Sequence, residues 1–161
     1  MVNRPNRPGN RPQRRDGDRN RQPQQQGDGI ESEIVSQINQ LDSFKSYNIR
    51  TLVEQAQSFG PYLKNQRLET NQIRKFLDAI NRLKAKLIQG DEEAAGFADI
   101  ETDIVLLKPK LAYAAARQNA AKPLSTTMSA AIDKVHDVQD FERLVQFIES
   151  IIAYHKAAGG K

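Results

Sequence analysis

Two stretches of the chain carry side chains whose types and spacing suit the binding of a polyanion. In the segment from Lys108 to Arg117, the residues Lys110, Tyr113 and Arg117 recur at spacings of three and four, which on a helix puts an aromatic ring between two cations on one face. Such a ring can stack a nucleobase while the cations hold phosphates, and the alanines around it leave room for close approach of another helix or strand. The structural alternative is a Tyr113 ring packed in the core with its hydroxyl at the surface. The second stretch runs from Leu68 to Leu87. At about 100° per residue its cations Lys75, Arg82 and Lys86 fall together, opposite an apolar series of Ile73, Phe76, Leu77, Ile80, Leu83 and Leu87. From Lys75 to Lys86 the stripe is about 16 Å long at 1.5 Å per residue, enough to follow a few phosphates. A charged face that is merely solvated has the same pattern.

Other polar groupings point less clearly to chemistry. Asp133, His136, Asp137 and Asp140 have the spacing of a metal site only if one continuous helix runs through them, and Val135 and Val138 indicate a junction where aspartates cap instead. His155 has no second ligand near it and is expected to be exposed or to touch nucleic acid. The carboxylates of residues 91–103 have no histidine, lysine or apolar pocket beside them that would tune a proton-transfer group. Cysteine is absent, which excludes disulfides, thiolate metal sites and cysteine nucleophiles. No glycine-rich loop leads into a lysine as a phosphate cradle requires. The pattern is that of a non-enzyme with no cofactor and no metal.

These side chains must be positioned by helices, since the apolar residues recur throughout with helical periodicity. Ile34, Val35, Ile38, Leu41 and Phe44 form a first stripe from Ile30 onward. Asn48 is placed to cap a second helix with Leu52, Val53, Ala56 and Phe59 inward, and Gly60-Pro61 is expected to interrupt or kink it. Thr70 is placed to cap the cationic helix, with Gly90 as its stop and Asp91 as the next cap. Residues 91–107 fit a helix with Phe97, Ile100, Ile104 and Leu107 inward, and Pro109 suits the first position of its successor. Lys122-Pro123 ends that segment. Leu124, Met128, Ala131, Ile132 and Val135 make a further helix, and Asp137 or Asp140 caps a last, strongly apolar one with Phe141, Leu144, Val145, Ile148, Ile151 and Ile152 inward. The expected fold is all-α, a compact bundle of about five to seven helices over residues 30–161, preceded by a disordered arm over residues 1–29.

The arm follows from composition. Its 29 residues hold seven arginines, four prolines and four glycines, with Val2 the only apolar residue after Met1, too little apolar surface to offset the entropy of ordering. Seven arginines against Asp16, Asp18 and Asp28 also account for the whole formal charge of +4. Loose contact with RNA or DNA and a simple solubilising role fit this arm equally. In the rest of the chain sign is segregated: residues 64–86 carry seven cations against two carboxylates, and residues 91–103 carry six carboxylates and no cation. With no membrane span or signal sequence in the pattern, the expected location is the cytoplasm.

Three pieces taken together, residues 68–76 (LETNQIRKF), 107–114 (LKPKLAYA) and 147–156 (FIESIIAYHK), resemble the small subunit of type III-A CRISPR interference complexes, the Csm effector. The resemblance covers roughly residues 30–160, and the long Arg/Pro/Gln arm departs from the compact family pattern. It implies a non-catalytic RNA-binding subunit that stacks in several copies beside guide RNA and target RNA, with other subunits of the effector complex as partners and no membrane contact. It implies Arg74, Lys75, Arg82, Lys110 and Arg117 as contacts to RNA backbone, with Lys84 and Lys86 as further members. Tyr113 joins them from the spacing alone. A helical adaptor whose basic stripe docks on an acidic protein is the rival expectation, and a metal-dependent hydrolase built on the aspartates around His136 is a remote third.

Overall fold

The computed structural model describes the backbone of residues 25–89 and 93–161, and side chains over 29–89 and 96–161. Among the described residues every regular element is helical: α1 (Gln25–Asn39), α2 (Ile49–Asn65), α3 (Thr70–Ile88), α4 (Glu93–Val105), α5 (Leu107–Arg117), α6 (Lys122–Ile132) and α7 (Val138–Ala157), with 3-10 turns at Phe44–Ser46 and Asn119–Ala121. The all-α expectation is met. α1 begins at Gln25, ahead of the boundary expected at Ile30, and the remainder of the expected arm lies outside the described residues, as do Gly90 and Asp91.

α7 is the axis of the bundle. Phe141, Leu144, Phe147, Ile148 and Ile151 are fully buried on it, and it packs most extensively on α2, then on α3 and the Phe44–Ser46 turn. Each such side chain contributes about 1.5–3 kcal/mol on leaving water, so this one helix supplies much of the cohesion of the core. Phe44, Tyr47 and Phe147 form an aromatic cluster with ring centroids 5.5, 5.8 and 5.9 Å apart. Phe44 therefore reaches the core from its own turn and not as the last member of the α1 stripe. Elsewhere α1 rests on α6 and α2, α5 on α6, and α3 on α4, with one contiguous apolar core joining them.

Caps fix where the central helices begin. Asn48 accepts from the backbone N–H groups of Arg50 and Thr51, as its position suggests. Asp137 caps α7 by accepting from the Asp140 N–H at 2.9 Å. Asp140 is fully buried and does not cap. Its carboxylate accepts from Ser43 Oγ at 2.8 Å, Lys45 N at 2.7 Å and His136 N at 2.9 Å, tying the turn before α2 to the start of α7. Asp137 also pairs with Lys45, and Asp133 with Lys108 at 2.5 Å, so the acidic residues of this junction are spent on separate structural partners.

Gly60-Pro61 does not interrupt α2, which runs unbroken through Pro61 to Asn65. The reason for the pair lies across the interface: a Cβ on Gly60 would come within 2.5 Å of the His155 backbone nitrogen and 2.8 Å of the Tyr154 carbonyl carbon. The glycine lets α2 and α7 approach backbone to backbone, and that packing outweighs the hydrogen bond lost to proline. α2 then closes with Leu68 N donating to Leu63 O and Arg67 N to Lys64 O, while Arg67 adopts φ 66°. This is a Schellman turn, and its apolar pair, Leu63 and Leu68, is buried.

Candidate nucleic-acid interface

The turn after α2 delivers the chain into α3 at a fixed angle, and two buried polar residues hold it there. His155 Nε2 donates to Leu68 O at 2.7 Å, which leaves Nδ1 to accept from Thr70 Oγ1 at 3.3 Å. The histidine expected at the surface is thus fully buried under the start of α3. Burial lowers its pKa below the ordinary histidine value; the Leu68 carbonyl opposes that shift, and Lys156 and Lys64 add to it. Thr70 likewise is the first residue of α3, not its cap. Glu69 holds the cap position without a side-chain bond, and the Thr70 N–H donates to Lys161 O at 2.6 Å. The sequence around His155, between Tyr154 and Lys156, looks like surface because nothing local announces that α2 and α3 close over it.

From that anchored start α3 presents Ile73, Phe76, Ile80 and Leu83 to the core and leaves Arg74, Lys75, Arg82, Lys84 and Lys86 exposed. α5 has Pro109 as its third residue, where no intrahelical donor is needed, and buries Leu107, Leu111 and Ala115. Its opposite face carries Lys110, Tyr113 and Arg117. The Tyr113 ring is 66% exposed, which removes the core alternative for that residue. Arg117 lies over it with its guanidinium carbon 5.7 Å from the ring centroid and Nη1 3.4 Å from the hydroxyl.

Between α3 and α5 lies a cleft of about 700 Å³. Lys75 borders it from α3, and Lys110, Tyr113 and Arg117 from α5, so residues 35 or more apart in sequence surround one opening. Its apolar walls include Leu68, Phe76, Leu111 and Leu124, and no carboxylate lines it. Gln72 and Gln118 also line it, with Gln72 Nε2 donating to Gln118 Oε1 while Gln72 Oε1 is buried without a donor. Sequence reasoning missed this amide pair. A signal for it exists, since Gln72, Lys75, Phe76 and Ala79 share one face of α3 at helical spacing, a face lying between the apolar and cationic stripes.

The remaining cations divide. Arg74, Arg82 and Lys84 are exposed on α3 but do not line the cleft. Lys86 is ion-paired with Asp103 of α4 at 2.8 Å, and both groups are substantially exposed. The hydrogen bond from Lys86, followed by its charge and with a lesser contribution from Lys110, holds the Asp103 carboxyl below the usual range; Lys86 itself is raised. What the arrangement can do chemically is hold an anionic chain at three long-stemmed cations around an apolar slot. Among the described residues no helix is long and apolar enough to cross a membrane, and no group of three or more histidine and acidic side chains gathers at a metal-binding distance.

Known proteins add to this geometry. A family model described as Csm2 Type III-A matches residues 45–161, which takes in α2 to α7 and every residue of the cleft. A protein of Streptococcus thermophilus named "CRISPR system Cms protein Csm2" is 28% identical over 99 residues, covering 60% of this chain and 78% of that protein. No solved structure matches the chain.

Proposed function

The chain belongs to the Csm2 family of type III-A CRISPR systems, and from that premise we propose that it is a non-catalytic small subunit whose α3–α5 face binds the backbone of RNA without regard to sequence. The convergence of Lys75, Lys110 and Arg117 on one opening is the observation that carries this function. Three cations on long, rotatable stems suit phosphates and carry no information about base identity. In an effector whose guide RNA supplies the sequence by pairing, a subunit of this kind accepts any target. Guide and target RNA, further copies of the subunit and the other effector subunits are its partners, and the cytoplasm is its place of work. Arg74, Arg82 and Lys84 extend the same positive field along α3, and Lys86 contributes only when Asp103 releases it.

The test is substitution of Lys75, Lys110 and Arg117 together by alanine in the full chain. All three are exposed, so the variant is expected to unfold like the parent. Titrated with fluorescent single-stranded RNAs of unrelated sequence, it should bind all of them more weakly. Its log Kd should depend less steeply on log salt, by about 2 for three lost phosphate contacts on a single strand. Undiminished RNA binding at low salt would remove the proposal and leave the face to an acidic protein partner.

A further inference from the structure

We infer that the α3–α5 cleft receives one unpaired nucleobase of the bound strand, its ring seated in the slot beside Tyr113 and its flanking phosphates held by Lys75, Lys110 and Arg117. This rests on the RNA-binding function proposed above and adds to it a preference for unpaired over paired RNA. Phosphate binding alone asks only for cations within reach of the backbone, with no apolar hollow between them. Here the cations border a hollow of about 700 Å³ floored by Leu68, Phe76 and Leu111, a volume within the range of small-molecule sites. An apolar hollow ringed only by positive charge suits a ligand that is planar and weakly polar at its centre and anionic on both sides. A nucleotide within a single strand has that distribution, whereas an amphipathic protein helix places its charge on the face opposite the apolar side chains it would insert.

Two further features fit a base. The Tyr113 ring has Arg117 over one face and is otherwise largely open, so its second face is available for stacking. Gln72 and Gln118 are paired within the same lining, and Gln72 Oε1 lacks a donor. Rotation of these amides offers either a donor or an acceptor to the edge of a base, so the slot need not choose among the four. The chain's own arginine-rich arm is a poor occupant, because its charge repels the rim and it has almost no apolar side chains.

Ala114 lines the cleft and is exposed, so Ala114→Trp fills the slot while every cation stays in place. Parent and variant are titrated by fluorescence anisotropy with a single-stranded RNA 12-mer and with the same ribose-phosphate chain lacking its bases. The variant should bind the base-bearing strand at least about fivefold more weakly, the lower end expected for one stacked base. It should bind the abasic strand as the parent does, with an unchanged salt slope. Tyr113→Ala, which removes a surface ring without touching the core, should weaken base-bearing RNA in the same sense and serves if the tryptophan disturbs folding. Equal affinity of parent and filled variant for the base-bearing strand overturns the cleft's role, as does equal affinity of the parent for both strands. In either case salt-dependent binding would persist and the RNA-binding function would stand. Absence of salt-dependent binding to either strand overturns both.

Discussion

Asp103 decides whether Lys86, the last of the exposed cations on α3, is free to meet a polyanion. Its carboxylate takes the proton-bearing end of Lys86 at 2.8 Å, and because both groups are well exposed the pair is one that a phosphate can replace. Replacing Asp103 with asparagine removes the competing charge and frees Lys86, one helical turn from Arg82 on α3. RNA binding by Asp103→Asn should be tighter than that of the parent at low salt, and its log–log salt dependence steeper by about 0.7, as titration across a salt series would measure. His155 acts at the same scale by a different route. Buried and neutral, it has a lowered pKa in the folded chain, so below its unfolded value of about 6.5 the unfolded state takes up protons that the native state resists. Its contribution to stability is therefore complete above that pH and is lost progressively as pH falls toward the folded pKa. Melting temperature should decline between about pH 7.5 and 5.5. In His155→Gln, which retains a donor for Leu68 O but does not titrate, that decline should be shallower.

The helices themselves are held at their angles by a few close contacts. Gly60 is one of them, since a methyl group there meets backbone atoms of α7 that cannot swing aside. Gly60→Ala is expected to cost about 1–3 kcal/mol by forcing α2 and α7 apart, read as a lower urea midpoint with little change in slope. This position also marks the limit of what the sequence discloses. Asn48 and Asp137 are legible as caps because capping is settled within three residues, and the inward stripes of α3, α4 and α7 are legible because period alone defines a face. Gly60-Pro61 reads as a break because its compensation sits about 95 residues away on α7. Thr70 and His155 are obscure for the same reason: each is explained by the other, across 85 residues. Of the site, the exposed triplet Lys110, Tyr113 and Arg117 can be read from one helix. The cleft cannot, because it exists only where α3 and α5 face each other.

At the scale of the whole molecule, charge and cohesion are kept apart. Lys75, Lys110 and Arg117 meet on the α3–α5 side, the carboxylates of the α6–α7 junction are consumed by Lys45, Lys108, Ser43 and backbone donors, and α7 supplies the apolar centre with Asp140 as its one buried carboxylate. Lys75, Lys110 and Arg117 are exposed and pair with no carboxylate among the described residues, so exchanging them is expected to leave the fold intact and the proposed RNA-binding face free to vary in affinity. The dominance of α7 has a further consequence, in time. The apolar face of α2, with Leu52, Ala56, Phe59 and Leu63, finds its main partner only in a helix that starts about 70 residues later in the chain. At a synthesis rate of about 5–20 residues per second, roughly 5–18 seconds separate the end of α2 from the completion of α7, and that face stays without its main partner for at least as long. A nascent chain of this protein thus passes through an interval as an uncovered set of amphipathic helices, during which chaperones and aggregation compete for it.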